Sequence, residues 1–376
     1  MVVPFRRYPK DIQSFCEGDV SEIQNHSNSL QIQVLKHLPE LATLERLLKS
    51  VHSRAEVEVL ATVKDRGLEL PIHGITFGSK DRSAPTLGIF GGVHGLERIG
   101  SEVVISYMQT ISELLTWDET FHERLKHSRL VFVPIINPIG MYHRRRSNGN
   151  GVDLMRNSPT RAEKNPAYLV GGHQISNKLP WFMGHAGDGS GMEIESKALC
   201  NFVEKEIFSS KVSISVDVHS GFGSVDRLWF PYAKTVTPPL HLPEIVALKR
   251  LLDRSYPNHF YQIEPQAKSY TTHGDLWDWL YDLKLQKHPT DPFLPLTLEL
   301  GSWMWLKKNP RQLFSSLGAF NPLIPHRLQR ILRRHLTLFD FLHRAILSPA
   351  SWTNLDVEAR AQLTRRATEL WYEPKK

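Results

Sequence analysis

Four side chains able to bind a metal or move a proton stand where strands are expected to end. The stretch from Thr86 to Ser101 reads TLGIFGGVHGLERIGS, an apolar run that passes through paired glycines into His94-Gly-Leu-Glu97. Apolar residues at helical spacing follow (Ile99, Val103, Val104, Tyr107, Met108), so the order predicts strand, tight turn and helix. A His and a Glu three apart in such a turn can reach one metal ion, and the carboxyl edge of an open α/β sheet is where ligands bind. Val212, Ile214, Val216 and Val218 alternate into His219, which puts a second histidine at a strand end. Phe293 to Leu298 is an apolar strand running into Glu299, and a carboxylate there is costly to bury unless it is paired or employed. His94, Glu97, His219 and Glu299 are thus expected on one edge of one sheet.

The pattern His-x-x-Glu is weak alone, since it recurs at His37/Glu40 and His241/Glu244. Both other copies read His-Leu-Pro-Glu ahead of a helix-like run. Proline suits a first helical turn and glutamate favours a helix N-terminus, so those two read as helix starts.

The elements that must position the four residues follow the same logic. A polar lead-in precedes a helix with the stripe Leu41, Leu44, Leu47, Leu48, and strands over Val57–Ala61 and Leu68–Ile75 form one edge of the sheet. Leu130 to Ile136 is a short apolar strand that ends in the turn Asn137-Pro-Ile-Gly140. Met141 to Ser190 is rich in Arg, Asn, Gly and Pro, and a loop of that length inside a compact domain is usually functional or disordered. Helices are expected over 193–208, 243–252, 274–283 and 326–347, and strands over 228–232 and 260–263. Arg327, Arg330 and Arg334 share one side of the helix before Pro349 and read as a solvated face. The division expected is a helical lead-in over 1–55, a catalytic domain over 56–310 and C-terminal helices over 311–376 that cover the same domain, because no linker-like composition separates them.

Composition excludes several classes. With 376 residues, 41% of them hydrophobic, the chain can bury a large core. Its formal net charge is +7, but the basic residues are spread along the chain, which fits a basic surface better than nucleic-acid binding. Cys16 and Cys200 have no metal-ligand spacing and give no disulfide framework. No apolar stretch has signal-peptide or membrane-spanning length, so a cytoplasmic protein without a membrane association is expected.

The combined order of His94-x-x-Glu97, Asn137-Pro-x-Gly140, Arg146, Gly151-Val-Asp-Leu-Met-Arg-Asn157, His219-Ser220, Tyr270 ahead of Asp278-Trp279, and Glu299 resembles the zinc carboxypeptidases of the carboxypeptidase A type over roughly residues 56–310. That resemblance implies a three-layer α/β/α fold with a mixed, mostly parallel twisted sheet. It also implies one zinc per chain held by His94, Glu97 and His219. It assigns Glu299 as general base, Arg146 as the group that holds the developing oxyanion, with Arg144 and Arg145 as alternatives, and Arg156 as the clamp on a substrate carboxylate. Tyr270 would close over the substrate, and Asn148 and Met155 fall among the substrate-binding residues. Trp277, Leu276 and Ala233 would lie near the side-chain pocket. The chain departs from the family at Met155, where the pattern has Asn, so one donor to the substrate carboxylate is missing. The function implied is hydrolysis of peptide or peptide-like amide bonds. An aspartoacylase-like deacylase and a non-catalytic binding protein on the same fold are the alternatives.

Overall fold

In the computed structural model, residue 34 and residues 36–164, 166–186 and 191–373 are described. The polar lead-in and Cys16 lie outside them. An eight-stranded sheet forms the middle layer, in the order β1-β2-β4-β3-β5-β8-β6-β7. Its strands are β1 (Ala55–Asp65), β2 (Leu68–Gly78), β3 (Thr86–Gly91), β4 (Arg129–Val133), β5 (Ser213–Ser220), β6 (Arg227–Phe230), β7 (Gln262–Pro265) and β8 (Phe293–Leu300). The four central strands, β4, β3, β5 and β8, run parallel; β2 and β6 flank them antiparallel, β1 pairs antiparallel with β2, and β7 pairs parallel with β6. Every residue of β3, β4, β5 and β8 is buried, as expected of strands covered on both faces.

The helices are α1 (Pro39–Val51), α2 (Arg98–Trp117), α3 (Glu119–Lys126), α4 (Pro138–Tyr142), α5 (Ile194–Ile207), α6 (Leu242–Ser255), α7 (Leu276–Lys287), α8 (Trp303–Lys308), α9 (Pro325–Leu347), α10 (Ala350–Thr353) and α11 (Val357–Ala367). α2 packs on β3 and β5 with α1 and α9 against it. α5 and α7 pack together on the opposite face, where Trp277 of α7 meets Phe90 of β3. α9 buries Ile331, Leu338, Phe339, Phe341, Leu342 and Ile346. At roughly 1.5–3 kcal/mol for each large apolar side chain, that face contributes on the order of 10 kcal/mol before entropy is charged.

The two other His-x-x-Glu copies do start helices. Glu40 lies in the first turn of α1 and Glu244 in that of α6. Glu40 also makes a buried ion pair with Arg98, whose Nε donates to its Oε1 at 2.9 Å, and so ties α1 to the start of α2 beside Glu97. Two local expectations are corrected. Asn137-Pro-Ile-Gly140 is a turn that continues as the short helix α4, because the Asn137 carboxamide accepts from Gly140 N at 2.8 Å and caps it. Arg334 is not simply solvated: it lies 3.4 Å from the Phe260 ring centroid and pairs with Asp226 at 3.2 Å, docking α9 onto the sheet end.

Candidate metal centre and active site

The parallel register brings the sequence-separated groups together. Phe90 lies level with Asp217 and His219 level with Glu299, so β3, β5 and β8 end side by side. The turn after β3 is held from below by Asn137, whose Nδ2 donates to Val93 O at 3.1 Å. From the C-terminal side Asn321 accepts from Ile99 N at 2.9 Å and donates to Leu96 O at 2.7 Å, which brackets Glu97. Gly95 is required here, since a Cβ would fall 2.0 Å from the Gly140 backbone carbon.

His94, Glu97 and His219 are all buried, with one ligand atom from each lying within 4.8 Å of the others. Nδ1 of His94 lies 2.9 Å from Glu97 Oε1, and Nδ1 of His219 lies 3.2 Å from Glu97 Oε2. The first of these approaches has no hydrogen-bond geometry, so Nδ1 of His94 is a buried atom without a hydrogen-bond partner. The other nitrogen of each ring faces a carboxylate: His94 Nε2 lies 3.0 Å from Asp153 Oδ1, and His219 Nε2 lies 2.9 Å from Asp217 Oδ2. Metal-binding histidines are oriented in this way, one nitrogen toward the ion and the other to a carboxylate.

The electrostatics agree. Glu97, Asp153 and Asp217 oppose a single guanidinium, Arg146, among the charged groups touching this cluster, which leaves two net negative charges when the imidazoles are neutral. Burial alone would raise the Glu97 pKa, but His94 and His219 outweigh it and hold the carboxyl far below its usual range. Burial likewise disfavours a charged His219, yet Asp217 and Glu97 push its pKa well above the ordinary imidazole value. A divalent cation held by these three residues would supply the missing charge. The donor set of two histidines and one glutamate fits zinc.

These residues open onto a cavity of about 810 Å³ that also meets Arg146, Met155, Arg156, Tyr270 and Glu299. Glu299 is 6% exposed, and its Oε1 accepts from Phe222 N at 2.9 Å, which leaves Oε2 for the cavity. Burial, and then the nearby Glu97 charge, push its pKa up to about 8. Of the three adjacent arginines, Arg146 reaches the ligand cluster, with Nε 2.7 Å from Asp153 Oδ2 and Nη1 3.3 Å from Glu97 Oε1. Arg145 instead donates to Gly149 O at 2.9 Å. Arg156 is 3% exposed and is ion-paired with no described residue; the one hydrogen bond of its side chain to a described residue is a long 3.4 Å contact to Val170 O. Its backbone is fixed by Gly274, where a Cβ would sit 1.7 Å from Arg156 O and φ is +70°. Tyr270 packs its ring on Phe222 and Trp229 at the cavity wall.

Asn148 lies in the loop beside the site. Its side chain donates to Glu193 Oε2 at 2.8 Å and accepts from Asn150 N and Val152 N at 3.0 Å, so it organises the loop and does not border the cavity. Leu276, Trp277 and Ala233 are buried outside the cavity as well. Trp277 Nε1 donates to Asp217 Oδ2 at 2.9 Å and thereby steadies the carboxylate behind His219. Sequence reading missed Asp217, Trp229, Gln266 and Thr297. Asp217 and Thr297 each stand two residues before a site residue on the same strand, hence on the same face, which was a usable signal.

The chain belongs to the zinc carboxypeptidase family, whose model matches residues 36–307. It is a member with the His-Glu-His zinc site intact. Its fold is that of thrombin-activatable fibrinolysis inhibitor, with a TM-score of 0.61 at 17% identity over 81% of this chain and 72% of that one. The bovine form of that protein, in complex with tick carboxypeptidase inhibitor, gives 0.59 at 17% identity over 81% and 95%. Carboxypeptidase A from Helicoverpa armigera gives 0.51 at 19% identity over 74% and 72%. No curated protein matches the chain in sequence.

Proposed function

We propose that the protein removes the C-terminal residue from a peptide or peptide-like molecule. The observation that carries this reading is the Arg156 guanidinium, buried and ion-paired with no described residue in the same cavity as the zinc ligands and Glu299. A buried cation is costly unless an anion meets it, and a planar guanidinium takes a carboxylate by two parallel hydrogen bonds. A substrate carboxylate on Arg156 would lay the adjacent amide bond across the cavity toward His94, Glu97 and His219.

Zinc bound by those three residues supplies a Lewis acid and makes water acidic, with a pKa near 7. The remaining work falls to the chain's own groups. Glu299 Oε2 takes a proton from the attacking water and delivers it to the leaving amine. Arg146 keeps Nη2 free while Asp153 and Glu97 fix Nε and Nη1, so it can hold the oxygen on which negative charge develops. Tyr270 walls off the side of the cavity and limits water there. We propose a cytoplasmic location, a reading with which the free, buried Cys200, the one cysteine among the described residues, is consistent. Among those residues no helix is long and apolar enough to cross a membrane.

The test joins a metal analysis to a digest of a peptide library read by mass spectrometry. One zinc per chain and products shorter by one C-terminal residue are expected. Internal cleavage, or release confined to peptides with a blocked C-terminus, would overturn the role given to Arg156.

A further inference from the structure

One part of the cavity wall is made by three groups that the catalytic assignment leaves unused, Trp229, Gln266 and Thr297. Trp229 and Thr297 are directly opposite in the antiparallel β6–β8 pair, so their side chains share a face with Glu299, two residues beyond Thr297. Gln266 follows β7, where Glu264 is level with Trp229. All three are at least nine-tenths buried, with exposures of 2% for Trp229 and 9% for Gln266 and Thr297. The Trp229 Nε1–H has no hydrogen-bond partner. Neither the Gln266 carboxamide nor the Thr297 hydroxyl makes a side-chain hydrogen bond to any described residue.

An indole N–H can only donate, whereas a carboxamide and a hydroxyl can do either. Buried polar groups are normally satisfied, so three unsatisfied ones around a cavity point to a ligand that completes them. An apolar side chain entering here leaves the Trp229 donor unmet. A basic one brings further donors to a wall that already carries an obligate donor, and the carboxylates nearest that wall are already engaged, Glu299 in proton transfer and Glu264 with Arg227 at 3.1 Å.

We propose that this wall receives the side chain of the substrate's C-terminal residue and selects one that ends in a carbonyl acceptor, a carboxamide or a carboxylate. The carbonyl oxygen accepts from Trp229 Nε1, while Gln266 and Thr297 satisfy the rest of the group. This deepens the carboxypeptidase reading above and rests on it.

The experiment uses the zinc-loaded protein with blocked dipeptides that differ only in the C-terminal residue: Gln, Glu, Leu, Met and Lys. Gln or Glu is expected to exceed Leu and Met at least tenfold in kcat/KM, and the Gln-to-Glu ratio identifies which carbonyl group is preferred. Trp229→Phe, which keeps the ring and removes the donor, should lower the ratio of the preferred residue to Leu at least fivefold, as should Gln266→Leu. A ratio is insensitive to the fraction of variant that folds. A second readout avoids catalysis: zinc-free protein should bind the N-acetyl form of the preferred residue at least fivefold more tightly than N-acetylleucine by calorimetry. Equal or better release of Leu, or a ratio unmoved in both variants, overturns the inference while leaving the peptidase reading standing. Release of no C-terminal residue from any of the five overturns that reading instead.

Discussion

Replacing Asp153 by asparagine should loosen zinc and the oxyanion arginine together. Asp153 Oδ1 accepts from His94 Nε2 at 3.0 Å and from Met155 N at 3.1 Å, and Oδ2 accepts from Arg146 Nε at 2.7 Å. Asparagine has the same shape but one acceptor oxygen, so in either orientation its NH2 group faces a donor. The milder orientation keeps the Oδ1 contacts and sets the NH2 against Arg146, losing one charge-assisted hydrogen bond, about 1.5–3 kcal/mol. The lost negative charge also makes His94 a weaker base, and changes of this kind behind a metal ligand cost about 10–100-fold in affinity. Competition with a chromophoric zinc chelator measures that shift, and urea unfolding of the zinc-free variant measures the other. Asp217→Asn is the independent arm, acting on His219. Zinc affinities within threefold of wild type in both variants would refute the claim that these carboxylates orient the ligands.

Glu299→Gln should keep zinc and fold while losing at least about a hundredfold in kcat, and near-normal turnover would move the acid–base role elsewhere. Met155→Asn should strengthen binding of free C-terminal peptides about tenfold by adding a donor beside Arg156; unchanged KM and kcat would show the position to be irrelevant. Burial pushes the His343 pKa down to about 4, against about 6.5 when unfolded, so its native form costs nothing above pH 6.5 and increasingly destabilises as pH falls toward 4. The stability gap between wild type and His343→Gln in urea should therefore shrink by about 2 kcal/mol from pH 7.5 to 5, and a constant gap would refute the assignment.

The ends of β3, β5 and β8 were legible because each carries an uninterrupted or alternating apolar run that stops at a polar residue. Burial on both faces demands that run, and chemistry at the edge demands the stop. His94, Glu97, His219 and Glu299 were therefore readable before any fold was known, and so were the helix starts at Pro39 and Leu242. The strand expected over 260–263 lies two residues further on, at Gln262–Pro265, because Phe260 and Tyr261 are spent on His335 and Arg334 of α9. Nothing local in the sequence announces that contact. The substrate pocket was illegible for the same reason: Trp229 becomes a neighbour of Thr297 only through strand pairing across some seventy residues of chain. Trp277 was assigned to that pocket by resemblance, but its indole is instead held by Asp217 in the buried layer behind His219.

Asp153 explains why the chain tolerates methionine at position 155. The turn Leu154–Arg156 is capped by the Asp153 carboxylate through the backbone N–H of Met155, a group every residue except proline supplies. Arg156 is then positioned from the other side by the close approach of Gly274 to its carbonyl, and Ser158 N donates to Gly274 O at 2.9 Å just beyond. None of these contacts uses the side chain of residue 155. On the proposed reading, exchanging an amide donor for a thioether there removes a hydrogen bond to substrate without releasing the loop, so its effect is expected in KM for free C-termini and not in stability. Among the described residues Arg156 is the one buried Arg or Lys that lines the cavity, whereas Arg146, partly exposed, is already held by Asp153 and Glu97. On the reading proposed above, carboxylate recognition rests on one guanidinium, and the neutral polar groups of Trp229, Gln266 and Thr297 are left to read the side chain.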